Sequence, residues 1–162
     1  MANLEIGELN SELAHFAYGI LLLSLVAFCC FINIVFYSLG YYLAGLLEGD
    51  GSISIPALGT TTMNRILNPR IVFTSHVNNI GMYAFLQSEL GGIGRFQTSG
   101  SSTLRYIIGD KEGILLCINL MHGKLRTPKN KRFNDLIKLF NVKYSLNITE
   151  SLLDTSNFGD NS

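Results

Sequence analysis

Hydrophobic and polar positions divide the chain into two unlike stretches. Residues 16–36 contain no charge, and only Tyr18, Ser24 and Asn33 among them are appreciably polar. A helical run of about 20 apolar residues is long enough to cross a bilayer. After Tyr37 the pattern breaks into shorter pieces. Residues 40–49 read as a short helix, apolar except for Glu48 and closed by Asp50-Gly51. Residues 52–57 alternate, with Ile53 and Ile55 on one side and Ser52 and Ser54 on the other, which predicts a strand with one wet face. A Gly-Thr loop from Gly59 leads to a second strand over 70–77. Asn78-Asn79 opens a helix through Leu90, stopped by Gly91-Gly92. Residues 93–98 and 103–108 form a hairpin around Ser99-Gly100-Ser101. Asp110 caps a helix to Met121, ended by Gly123, and Thr127-Pro128 starts the last helix, which runs to about Phe140. The predicted order after the apolar segment is α-β-β-α-β-β-α-α, an α+β unit with a four-stranded antiparallel sheet.

Charge changes that picture. The 162 residues carry 12 Lys+Arg and 12 Asp+Glu, a formal balance of zero. All the basic residues lie between Arg65 and Lys143, however, while Glu5, Glu8, Glu12, Glu150, Asp154 and Asp160 sit towards the ends. Between Gly51 and Thr149 the acids are only Glu89, Asp110, Glu112 and Asp135, so this stretch is strongly basic. An asymmetry of this kind points to an anionic partner. With every basic residue C-terminal to the apolar run, an inserted helix would leave the bulk of the protein on the inner side of a membrane. Residues 1–15 lack the positive charge of a secretory signal and the arginines of a transit peptide. Cys29, Cys30 and Cys117 have neither disulfide nor metal spacing, and His15 and His122 lack spaced partners, so zinc is not expected.

One segment needs a chemical explanation: Leu43-Ala44-Gly45-Leu46-Leu47-Glu48-Gly49-Asp50-Gly51. Gly45 and Gly49 are spaced i,i+4 and let a second helix approach closely. Asp50 falls at the helix C-terminus, where the macrodipole disfavours a carboxylate. A hard cation would reverse that penalty; a plain Asp-Gly turn is the alternative.

These nine residues resemble the signature of the LAGLIDADG homing endonucleases and intron RNA maturases. The flanks agree, with Tyr42 before the motif and Ser52-Ile53 after it. The segment Gly123-Lys124-Leu125-Arg126-Thr127-Pro128-Lys129, followed by Phe133-Asn134, is similar to the family's basic element before its last helix. The resemblance covers about 39–149 and implies the αββαββα fold of a DNA-binding sheet. Glu48 and Gly49 depart from the commonest motif residues in ways the family tolerates. Three segments follow: 1–36, an apolar leader or membrane segment; 37–149, the endonuclease domain; and 150–162, a polar tail like the linkers that lead into a second motif.

By resemblance, Asp50 is the Mg²⁺ ligand, Gly51 borders the metal, and Glu48 is structural. A catalytic lysine falls on Lys129, with Lys131 as competitor. The polar residue on the second strand has no clean counterpart among Thr74, Ser75 and His76. Ser52, Ser54, Arg70, Arg95, Gln97 and Arg105 on the sheet, with Lys124, Arg126 and Lys131, are the expected DNA contacts. Gly45 and Gly49 are the expected packing positions for a second LAGLIDADG domain, supplied by homodimerisation or by a C-terminal half. The implied partner is double-stranded DNA or intron RNA, the implied origin a mitochondrial, organelle-encoded intron, with residues 16–36 open to membrane contact.

Overall fold

The computed structural model describes residues 2–56 and 68–155, and the chain divides into two compact units, Met1–Ser38 and Leu39–Ser162. Helix α1 (Ala2–Asp50) begins in the first. There its residues from Ala17 onward are exposed wherever described, including Leu21, Leu23, Phe28, Phe31 and Ile34. A surface helix of a globular domain presents a polar face, and the described residues between 17 and 36 of this one present none. Its few polar side chains turn back on the helix: Ser24 donates to the Leu21 carbonyl at 2.8 Å, and Asn33 to that of Cys29 at 2.8 Å. The break anticipated after Tyr37 is absent, and helix continues through Gly40 to Asp50. A helical glycine costs about 1 kcal/mol relative to alanine. Here the glycine has a purpose, because a Cβ at Gly40 would collide with the Leu120 carbonyl.

The second unit follows the anticipated order. Strands β1 (Gly51–Ser54) and β2 (Arg70–His76) precede helix α2 (Ile80–Glu89); β3 (Arg95–Ser99) and β4 (Thr103–Ile108) precede α3 (Lys111–Met121) and α4 (Lys129–Tyr144). The sheet order is β1-β2-β4-β3, antiparallel throughout. Asp110 caps α3 as expected, its Oδ2 accepting from the Gly113 amide at 2.7 Å. The first strand is shorter than anticipated, and residue 57 and the loop to residue 67 lie outside the described residues.

One face of the sheet is dry. Ile53, Ile71, Phe73, Leu104, Tyr106 and Ile108 point into a core shared with Leu43 and Leu47 of α1, Tyr83 and Leu86 of α2, Cys117 and Ile118 of α3, and Phe133, Ile137 and Phe140 of α4. Each such side chain, fully buried, contributes roughly 1.5–3 kcal/mol. Burial pushes the Cys117 thiol up to about 12 and raises the Tyr106 phenol well above its usual range.

The chain does not end its packing with α4. Ser145 takes a left-handed conformation (φ 54), and the following residues run back along the helix. Asn141 exchanges hydrogen bonds with Ile148, Lys138 pairs with Glu150, Asn134 exchanges bonds with Ser151, and Asp154 donates its amide to Leu125. Ser151 is buried, and its hydroxyl also accepts from the Gly123 amide. The stretch anticipated as a linker-like tail from residue 150 is therefore strapped to the domain as far as Asp154.

Candidate functional site

Helix α1 delivers Asp50 directly to the start of β1. Leu43, Ala44 and Leu47 bury one side of the helix, leaving Tyr42, Gly45, Gly49 and Asp50 exposed. A Cβ on Gly45 or Gly49 would meet nothing within 4 Å, so this side is open to a second backbone. Gly51 is different: a Cβ there would lie 2.6 Å from the Leu47 Cα, and only glycine makes this tight return from helix to strand.

The other motif acid faces inward. Glu48 Oε1 accepts from the backbone amides of Arg126 at 2.6 Å and Thr127 at 2.7 Å. Lys129 reaches the opposite way, its ammonium donating to the carbonyls of Leu47 (2.9 Å), Glu48 (2.8 Å) and Gly51 (2.9 Å). The lysine that the motif resemblance assigns to catalysis is thus engaged with the end of the motif helix. Lys131 is exposed, and its side chain has no hydrogen bond or ion pair among the described residues.

Asp50 suits a hard cation only as one donor among several. Among the described residues no three acidic, cysteine or histidine side chains gather as a ligand set. The Gly51 carbonyl already accepts from Lys129, leaving one lone pair. A complete oxygen shell of six or more ligands needs donors from outside this unit, such as water, phosphate or a second carboxylate.

Cross-strand register assembles the rest. Residues directly opposite in antiparallel strands share a face. Ser52 opposes Val72, which opposes Ile107, which opposes Arg95. Thr74, Arg105 and Gln97 form a second row, and Ser54 pairs with Arg70. All six sheet residues expected to contact DNA therefore lie on the wet face, and all six are exposed. Thr74 joins them there. Ser75 points to the dry side, accepting from Asn79 at 2.6 Å, and His76 Nδ1 accepts from the Asn78 amide at 3.2 Å in a local turn. Of the three polar residues left open on this strand, only Thr74 stands on the open face beside an arginine without such a bond.

Lys124 and Arg126 are not on the sheet. Lys124 lies 5.6 Å from the Tyr41 ring centroid, and Arg126 is bound to Asp154 at 2.9 Å. Sequence reasoning missed Asp154, whose side chain is only 8% exposed, and the buried Tyr83, whose hydroxyl has no hydrogen-bond partner among the described residues. Burial raises the Tyr83 phenol, and the Asp50 charge adds to the rise; Ser75 offsets part of it without meeting hydrogen-bond geometry. The strap had a signal: Asn130, Asn134 and Asn141 fall on one helical face at i, i+4 and i+11.

A motif helix feeding an antiparallel sheet with an open basic face defines the LAGLIDADG class, and the comparisons agree. The profile of the LAGLIDADG endonuclease family matches residues 43–140, and the chain belongs to that family. It is 28% identical over 136 residues to the intron-encoded DNA endonuclease aI3 of Saccharomyces cerevisiae, covering 76% of this chain and 32% of the relative. It is 31% identical over 104 residues to the intron-encoded RNA maturase bI4 of the same yeast, covering 64% and 15%. The chain thus spans about a third or less of these curated relatives. Among solved structures, the homing endonuclease I-TnaI matches with TM-score 0.57 and 14% identity over 65% of this chain and 74% of that one. The meganuclease I-CpaMI, bound to uncleaved DNA, matches with TM-score 0.54 and 19% identity over 65% and 39%. At those identities the likeness is one of fold.

Proposed function

We propose that this chain is the DNA-recognising and metal-binding unit of a site-specific, double-stranded DNA homing endonuclease that hydrolyses phosphodiester bonds, with Mg²⁺ as its metal. The observation that carries this reading is the convergence of Ser52, Ser54, Arg70, Arg95, Gln97 and Arg105 on one open face whose first strand begins immediately after Asp50. Arginine reads guanine edges bidentately, and serine and glutamine complete a polar code in the major groove. When bound, a metal there would supply charge neutralisation on the attacked phosphate and an activated water. Asp50 would hold it, and a second LAGLIDADG unit docked along Gly45 and Gly49 would bring the further carboxylate. Asp50→Asn should reduce Mg²⁺-dependent cleavage of the target at least a thousandfold while DNA affinity in Ca²⁺ stays within threefold. Cleavage surviving in Asp50→Asn would remove Asp50 from the reaction.

A second reading has its own support, the match to the maturase bI4. In it the same basic face binds intron RNA, and splicing stimulation survives Asp50→Asn. The two separate on that single variant.

Both readings are compatible with a mitochondrial, organelle-encoded intron product and with residues 16–36 as a membrane-contacting segment. Support for the latter is its uncharged, exposed circumference and the return of Ser24 and Asn33 to helix carbonyls, as an apolar solvent requires. The full chain should resist carbonate extraction from membranes, and a chain starting at Leu39 should be extracted. Extraction of both would end the membrane reading.

A further inference from the structure

The end of α1 and the start of α4 hold each other through two side chains that cross in opposite directions. An ammonium has three donors, and all three of Lys129 are directed at carbonyls of α1 and the turn that follows it. The carbonyls of Leu47 and Glu48 are among the last four of the helix, which have no partner within it. Glu48 answers from the other side, accepting two amides from the residues that lead into α4. Each charge sits at the helix end whose dipole favours it, the cation at the C-terminus of α1 and the anion at the N-terminus of α4. Between these two anchors lie Asp50 and Gly51.

We propose that Lys129 is a positioning residue: with Glu48 it forms a reciprocal latch that fixes the Asp50-Gly51 turn, and it acts on the reacting phosphate only through Asp50. The inference rests on Asp50 being the metal ligand. Lys129 has no donor left for a phosphate oxygen or a water unless a carbonyl is released. Releasing one would leave unsatisfied carbonyl dipoles beside Asp50, at the helix end that already disfavours a carboxylate. The same contact explains why Gly51 takes no side chain. The turn must stay close enough to Leu47 for one ammonium to bridge both sides of it.

The test compares Lys129→Met, Lys129→Arg, Glu48→Gln and the double variant Glu48→Gln/Lys129→Met in the full chain. Amide hydrogen exchange is read first, without metal or DNA. Lys129→Met should speed exchange at Asp50, Gly51 and Ser52 about tenfold and, because Glu48 loses its register, at Arg126 and Thr127 as well. Glu48→Gln should reproduce the pattern more weakly, and the double variant should fall short of the product of the two effects. The Mg²⁺ concentration for half-maximal cleavage should rise about tenfold in Lys129→Met, with the rate at saturating Mg²⁺ falling less than tenfold. Lys129→Arg, which keeps the charge but cannot converge on three carbonyls, should restore part of the protection. Unchanged exchange and metal dependence in Lys129→Met, with a rate at saturating metal lowered a hundredfold or more, would overturn the latch and put Lys129 on the phosphate. Should Lys129→Met not fold, the exchange pattern of Lys129→Arg and Glu48→Gln decides the same question. If the unsubstituted chain cleaves nothing, the homodimeric form of the nuclease reading fails, and the exchange arm still decides the latch.

Discussion

Two basic regions of this chain look alike on paper and differ in what their charges are free to do. Arg70, Arg95 and Arg105 stand on the wet face of the sheet, exposed and without an ion pair among the described residues. The denser run around α4 is largely spent within the domain. Arg126 binds Asp154, Lys129 binds three carbonyls, and Arg132 reaches the carbonyls of Ile53 and Ile55 at 3.4 Å. Lys138 pairs with Glu150 at 3.0 Å, and Lys143 donates to Asn68 at 2.7 Å. A charge count therefore does not tell which cations the fold leaves available to a polyanion. Availability, set by the fold, decides which cations can release counterions from DNA.

Three experiments bear on that contrast. Replacing Arg70, Arg95 and Arg105 together by alanine should weaken DNA binding a hundredfold or more, at about 1–3 kcal/mol for each arginine–base pairing removed, and flatten the salt dependence. Titration calorimetry or gel shift at several salt concentrations reads both, and an effect below fivefold would dissolve the distinction. A second experiment loads the core beneath both regions equally. Cys117 titrates at 9.0 when unfolded and at about 12 in the fold, so its contribution is complete below pH 9 and is lost as pH rises towards 12. Stability in urea should fall above pH 9, by up to about 1.4 kcal/mol per pH unit for that group alone. Tyr106 and Tyr83, raised in the same direction, extend the loss above pH 10. Stability flat from pH 9 to 11 would contradict the burial. The smallest effects separate the internal cations from the free ones. Arg126→Ala should cost about 1 kcal/mol of stability by urea unfolding, because the nearly buried Asp154 loses this charge-assisted contact. Lys143→Ala should change DNA affinity less than threefold.

Much of the fold was legible because its signals are local. Strand alternation at Ser52–Ser54, the Asp110 cap and the Thr127-Pro128 start all act within a few residues, and the structure bears each out. The shared face of the six sheet residues follows from period two once the register is known, but register depends in part on distant pairings such as Ile71 with Ile108. Long-range satisfaction was not legible. Glu48 reaches Arg126 and Thr127, and Lys129 reaches Leu47, across some 80 residues of chain. No spacing rule predicts such a pair, so the residues that resemblance marks as an acid and a catalytic lysine gave no sign of facing each other's backbones. The helix boundary near Tyr37 misled for a related reason. Composition changes there, but the backbone has no cause to stop.

The strap behind α4 sets where this domain can be cut. A recombinant fragment ending at Tyr144 would contain every described helix and strand, yet it would strip Asn130 and Asn134 of the Ser151 carbonyl and Arg126 of its contact with Asp154. Asn130 is buried, and each abandoned amide of that kind costs roughly 1–3 kcal/mol. Anyone fusing a tag, a linker or a second copy to this unit should keep the chain at least as far as Asp154.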